Sequence, residues 1–222
     1  MHYIGLALYA EGPTDYSFLR PLLLRVASEW CLHSRQAVEL PEEIVALNHP
    51  RAINKETRER RIVEAAKAAR GAWKIVFVHA DGASDPARSR KLLVQPAIEG
   101  LSRECSDCGV GVAVVPVRET EAWALADGLA LRNVFGCTLT DEELGLPPVT
   151  SIEALSDPKK QLNQAFEATN PSVRRRRQGI APLLGAIGES IRLQELRRLS
   201  SFVVLENELQ DALKKLNVLP AG

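Results

Sequence analysis

The chain has 222 residues, 45% hydrophobic and 25% charged, a balance that excludes a disordered protein and suffices for a packed core without disulfide staples. Lysine and arginine number 28 and aspartate and glutamate 28, so no net field draws the whole molecule toward nucleic acid or an anionic surface. No apolar run reaches the length of a membrane span, Met1 leads straight into a strand pattern, and Cys31, Cys105, Cys108 and Cys137 are not spaced as a disulfide framework; the expectation is a reduced, cytoplasmic protein without a signal peptide.

In chain order, YIGLALY (Tyr3–Tyr9) is a short apolar run and predicts a buried strand. GPTDYSFLRPLLLRVASEW follows as the first helix, with Gly12 or Thr14 near its N-cap, Asp15 in its first turn, and Phe18, Leu22 and Val26 at helical spacing. Pro21 predicts a boundary or kink within it. EEIVALN (Glu42–Asn48) is a second strand, and INKETRERRIVEAAKAARGAW a second helix stopped at Gly71. WKIVFVHADG is a third strand running into a turn at Asp81-Gly82, and a third helix spans Pro86 to Ser102. GVGVAVVPV (Gly109–Val117) is a fourth strand and ETEAWALADGLAL a fourth helix. Strands alternating with helices predict an α/β fold with a mainly parallel four-stranded sheet flanked by helices. Such a sheet carries ligands beyond its carboxyl ends, and Glu11, Asp81 and Glu119 each follow a strand closely.

After Leu131 the texture changes. GLPPVTS reads as a loop, and DPKKQLNQAFEA opens with Asp157-Pro158, a cap followed by a proline. SSFVVLENELQDALKKLNVL places Phe202, Leu205, Leu209, Leu213 and Leu216 on one helical face. The division expected is an α/β domain over 1–130 and a helical extension over 131–222 packed upon it.

Two basic runs stand out, KETRERR (Lys55–Arg61) and RRRR (Arg174–Arg177). The first reads as a solvated helix face and the second as a loop suited to phosphate or to an acidic partner. Arg58, Arg60, Arg61, Arg174, Arg175, Arg176 and Arg177 are the candidates for nucleic-acid contact. A single Cys-x-x-Cys (Cys105–Cys108) cannot complete a tetrahedral zinc site, and one glycine in YAEGPTD makes neither a phosphate loop nor a dinucleotide fingerprint.

A strand followed by Glu-Gly in YAEGPTD, and a later strand ending in the Asp-containing turn of VFVHADGASD, is the layout of the TOPRIM fold. With VPVRETEAWALAD, DPKKQLNQAF and SSFVVLENELQDAL, nearly the whole chain resembles a stand-alone TOPRIM-like family of bacteria (domain-of-unknown-function family 4276). The resemblance implies a TOPRIM-like, Rossmann-like sheet and a small Mg²⁺-dependent (or Mn²⁺-dependent) nuclease, a defence-system effector that often works beside an ABC-type ATPase. Glu11 then matches the family's motif glutamate and Asp81 the first acid of its Asp-x-Asp.

Phosphodiester hydrolysis needs charge stabilised on the attacking and leaving oxygens, which carboxylate-held Mg²⁺ supplies. Glu11 and Asp81 are accordingly the candidate catalytic and metal-holding residues, with Asp85 and Glu119 completing the shell. Ala83 occupies the place of a second Asp, so Asp85 would have to fold back, or His79-x-Asp81 is the operative pair. Asp15 and Glu121 are further candidates, although one continuous helix aligns Glu119, Trp123 and Asp127 and turns Glu121 nearly opposite. With one acid missing, the alternative is a catalytically degenerate binding or regulatory subunit of a partner ATPase. An oligomer is compatible with either.

Overall fold

The computed structural model of the protein describes residues 2–47 and 56–220. Asn48, Ile53, Asn54 and Lys55, at the margins of the expected second strand, second helix and first basic run, lie outside the described residues.

The sheet has four parallel strands in the order β4 (Val45–Ala46), β2 (Leu6–Tyr9), β5 (Ile75–His79) and β6 (Val110–Val114). A two-stranded parallel pair, β1 (His2–Tyr3) with β3 (Val38–Glu39), precedes it. The expected first strand is therefore broken at Ile4-Gly5. The Gly5 carbonyl accepts the N–H groups of both Lys74 and Ile75, at 2.7 and 3.1 Å, and a Cβ there would stand 2.2 Å from the Ala72 oxygen.

Alternation along the strands divides the core into two layers. Leu6, Leu8, Ile75, Phe77, Val112 and Val114 face one apolar cluster, whereas Ala7, Tyr9, Val76, Val78 and Ala113 face another. The first face is covered by α1 (Pro13–Cys31) and helices from the second half of the chain: α5 (Thr120–Ala124), α6 (Gly128–Phe135), α7 (Pro158–Ala168), α9 (Leu184–Ser190) and α11 (Ser200–Lys215). The second face is covered by α2 (Arg58–Ala68) and α4 (Gln95–Glu104). Trp123 links the covering helices: its indole N–H donates to Ser201 Oγ at 2.8 Å, and that hydroxyl donates to Glu153 at 2.6 Å. Glu153 also accepts the Ser200 and Ser201 backbone N–H groups, capping α11. At the β6 edge, Glu208 accepts the Ala113 N–H at 3.1 Å and pairs with Arg90, so α11 closes a sheet margin that would otherwise stay open.

Several local expectations are corrected. Of the two residues expected near the cap of α1, the structure takes Gly12 and not Thr14, with the Asp15 carboxylate accepting the Gly12 N–H at 2.9 Å. Helix α1 passes through Pro21 and runs on to Cys31. The third helix is continuous from α3 (Pro86–Ser89) to α4, but Arg90–Val94 between them is π-wound. Pro96 supplies the reason, because it has no N–H for the Leu92 carbonyl and its ring crowds that oxygen. The fourth helix is two helices, since Asp127 caps α6 by accepting the Leu129 and Ala130 N–H groups. Arg174–Arg177 lies within a helix, α8 (Val173–Gln178), and not on a loop. α10 (Leu193–Leu196) completes the helices named here.

Candidate metal centre

From β2 the chain goes outward to β4 by way of α1 on one face. From β5 it goes the other way to β6 by way of α4 on the opposite face. Adjacent β2 and β5 thus flank a topological switch point, where the following connections diverge and leave a crevice at the carboxyl ends. Asp15 enters this crevice from the first turn of α1. His79 enters from the last residue of β5, on the face that Ile75 and Phe77 share. Asp81 follows two residues later.

Asp15, His79 and Asp81 form the single group of three or more His, Cys, Asp or Glu side chains, among the described residues, whose ligand atoms all lie within 4.8 Å of one another. His79 is 0% exposed, and neither ring nitrogen has a hydrogen-bond partner among the described residues; nor has Asp81 Oδ1. His79 Nε2 stands 3.5 Å from that oxygen. Buried polar groups ordinarily find partners, so an imidazole with both nitrogens orphaned beside an orphaned carboxylate oxygen leaves donor atoms unused at this crevice.

The turn holding Asp81 is rigidly placed. Ala80, Gly82 and Ala83 donate their N–H groups to Val114, Pro116 and Arg118 at 3.1, 3.1 and 3.0 Å, extending the β5–β6 pairing past the strands. A Cβ on Gly82 would lie 2.2 Å from the Pro116 oxygen, so only glycine fits this approach. Ala83 and Arg118 face each other with φ of 49° and 65°, a left-handed conformation costly for side chains bearing Cβ.

Behind Asp15 the network continues to Thr120 and Glu121, both buried. The Thr120 hydroxyl donates to Asp15 Oδ1 at 2.9 Å and lies 3.3 Å from Glu121 Oε2. One hydroxyl carries one proton, so the pattern is complete when Glu121 is protonated and donates to Thr120 Oγ while Thr120 donates to Asp15. The Glu121 environment agrees: burial pushes its carboxyl above the usual range, with Glu119 and Asp15 adding to the shift and Lys159 opposing it. Glu121 thus points into the crevice, contrary to the continuous-helix expectation. Nothing in the sequence marked Thr120; a hydroxyl in the first turn after a strand is too common a signal.

The other expected ligands have different partners. Glu11 pairs with Arg58 at 3.0 Å, and Arg58 also donates to the His79 carbonyl at 2.5 Å, donates to the Leu93 carbonyl at 3.2 Å, and lies over the Tyr9 ring. Asp85 caps α3 by accepting the Arg88 N–H at 2.9 Å. Glu119 accepts the Lys159 N–H at 2.7 Å, in the first turn of α7. With Asp81, Ala83, Arg118 and Asp157 it lines a depression of about 320 Å³ opening beside the cluster. A second depression, of about 720 Å³, lies on the other side and is lined by Glu11, Tyr16, Arg58 and Arg61.

Of the arginines, Arg58 is held inside the fold as described, and Arg60 pairs with Glu64 and Glu104. Arg61 lines the larger depression, its Nε without a partner among the described residues. Arg175 donates to the Phe135 carbonyl at 3.0 Å and covers Phe166, while Arg176 pairs with Glu167 at 2.9 Å. Arg174 and Arg177 are exposed. Because α8 follows the far end of the 11-residue α7, this run starts roughly 16 Å along the helix from the end that meets Glu119. Asp127 is a structural acid. Burial works against its charge, but Arg192, the Arg192 N–H and the α6 cap hold its carboxyl below the usual range. All four cysteines are free thiols. No helix among the described residues is long and apolar enough to cross a membrane. Compared with protein-family models, curated proteins and solved structures, the chain returns no match in any of the three.

Proposed function

We propose that Asp15, His79 and Asp81 hold a divalent cation, and that the protein is a metal-dependent phosphodiesterase of TOPRIM-like kind acting on nucleic acid. The observation that carries this reading is His79: a fully buried imidazole with both nitrogens unpartnered, facing an equally unpartnered carboxylate oxygen at the switch point of a parallel sheet. The residues fit an ion chemically, since two carboxylates and one imidazole offer three first-row ligands on one side and leave the depression beside Asp81 for substrate. A bound ion would supply Lewis-acid stabilisation of charge on a phosphoryl oxygen. Thr120 orients Asp15, and Glu121, whose carboxyl burial pushes above the usual range, lies 3.3 Å from the Thr120 hydroxyl. Of the arginines singled out from the sequence, Arg61 and the exposed Arg174 and Arg177 are those available to a polyanion.

A second reading is a regulatory subunit of a partner ATPase that retains a binding site without turnover. It is favoured by Glu11, whose carboxylate is neutralised by Arg58, and by Ala83 standing where a second acid would serve another ion. The test is calorimetric titration of the purified chain with Mn²⁺ or Mg²⁺ together with cleavage of plasmid DNA and of single-stranded RNA in the same ions, against chelator and against Asp81→Asn. Metal-dependent cleavage lost in Asp81→Asn supports the enzyme. Metal binding with no cleavage of either polymer supports the regulatory subunit, and no metal binding refutes both.

A further inference from the structure

Resting on the reading of Asp15, His79 and Asp81 as a cation site, we infer that the site selects a borderline first-row cation, Mn²⁺ or Zn²⁺, over Mg²⁺, with the His79 imidazole as the discriminating ligand. The spacing is the first argument. An imidazolium–carboxylate pair closes to about 2.7–2.9 Å. His79 Nε2 and Asp81 Oδ1 stand 3.5 Å apart and share no hydrogen bond. Two ligands at ~2.1 Å from one ion are ~3.0 Å apart at a right angle and ~3.4 Å apart at the tetrahedral angle. The separation in the structure is longer than a closed ion pair and close to that of two ligands sharing an ion at the tetrahedral angle.

The second argument is donor chemistry. Mg²⁺ demands hard oxygen and gives up water reluctantly, whereas imidazole nitrogen suits the later first-row ions. His79 cannot be exchanged for an oxygen ligand by a small motion. It is the last residue of β5, in register with Val114, it is 0% exposed, and the Arg58 guanidinium holds its carbonyl. None of Glu11, Asp85 and Glu119, the acids that would build an all-oxygen site, lies within the cluster: Glu11 pairs with Arg58, Asp85 caps α3 and Glu119 meets the α7 N-terminus. An ion entering at Asp15 and Asp81 therefore meets nitrogen.

The experiment is calorimetric titration of the full chain, stripped of metal by chelator, with Mn²⁺, Zn²⁺ or Mg²⁺ alone. Mn²⁺ and Zn²⁺ are expected to bind about tenfold or more tightly than Mg²⁺. His79→Asp, which offers oxygen in place of nitrogen, should bring the Mn²⁺ to Mg²⁺ ratio to within about threefold. Because His79 is buried, its replacement also challenges the fold, so the native chain carries a second readout. Among the ring ¹⁵N resonances of the four histidines, Zn²⁺ should move those of His79, and Asp81→Asn should weaken that response. Mg²⁺ binding as tightly as Mn²⁺, or ion binding that leaves the His79 ring resonances unmoved, overturns this inference while the metal-site reading stands on the carboxylates. Failure of every ion to bind overturns both.

Discussion

Replacing Thr120 by valine tests whether the acidic network behind the candidate metal centre is held as the geometry indicates. The two side chains have the same shape, and Thr120 is buried, so the change removes little besides the hydroxyl. That hydroxyl donates to Asp15 Oδ1 at 2.9 Å, and a hydrogen bond to a charged acceptor contributes about 1.5–3 kcal/mol. The loss is not offset by water, because Asp15 is 8% exposed and its other oxygen is already used by the Gly12 N–H. Glu121 loses its partner at the same time, which places the expected destabilisation in the upper part of that range, about 2–3 kcal/mol. For a chain of this size that is a fall in Tm of roughly 4–12 °C. Urea unfolding followed by tryptophan fluorescence gives the free energy directly. Thr120→Ser separates the hydrogen bond from packing, since it keeps the hydroxyl and gives up a methyl group contributing about 0.8 kcal/mol. If valine is as stable as threonine, or serine is less stable than valine, the network as described is wrong.

Glu11→Gln should leave Mn²⁺ affinity within about threefold, whereas Asp15→Asn should lower it about tenfold or more, on the scale of disrupted metal sites, as read by calorimetry; the reverse order would restore Glu11 as the ligand. Glu121→Gln removes an acid whose carboxyl burial pushes above the usual range, so the native fold binds more protons than the unfolded chain in the interval above about pH 4.3. Native stability therefore falls as pH rises through that interval, and urea midpoints should show the advantage of Glu121→Gln widening from pH 4 upward until Glu121 is ionised. Arg192→Met leaves Asp127 buried without its guanidinium but still holding three N–H donors, so the cost should be about 2–3 kcal/mol, below the full range for a broken buried pair. Asp127 is held below the usual carboxylate range, so its favourable contribution is present above about pH 4 and is lost as Asp127 takes up its proton; the Arg192→Met deficit should vanish in acid.

Legibility varied with the range of the forces involved. Strands β2, β5 and β6 were readable because four or five apolar residues in a row between helix signals satisfy a strand buried on both faces. Helices α7 and α11 announced themselves through Asp157-Pro158 and the Phe202–Leu213 face. The fourth helix is not legible as two because alanine-rich TEAWALADGLAL favours a helix throughout, and the competing signal, Asp127 capping Leu129 and Ala130, is strengthened by Arg192, 65 residues away. Hidden with that break is Glu121, whose inward position depends on a short α5 and not on helical periodicity. Glu11 drew attention as an acid next to a strand end, yet its partner Arg58 comes from a helix on the opposite face of the sheet.

The sequence by itself determined the alternating pattern, hence a parallel sheet, and with it the edge where acids would gather, because hydrophobic period and local turn chemistry are properties of neighbouring residues. Only the tertiary structure decided which acids face one another. Asp15, His79, Asp81 and Thr120 meet because β2 and β5 are adjacent and their connections diverge, bringing together side chains from positions 15 to 120. Which of them stay unpartnered depends on every other donor in reach, so the choice of His79 and Asp81 over Glu11 and Asp85 is settled by competition across the whole fold.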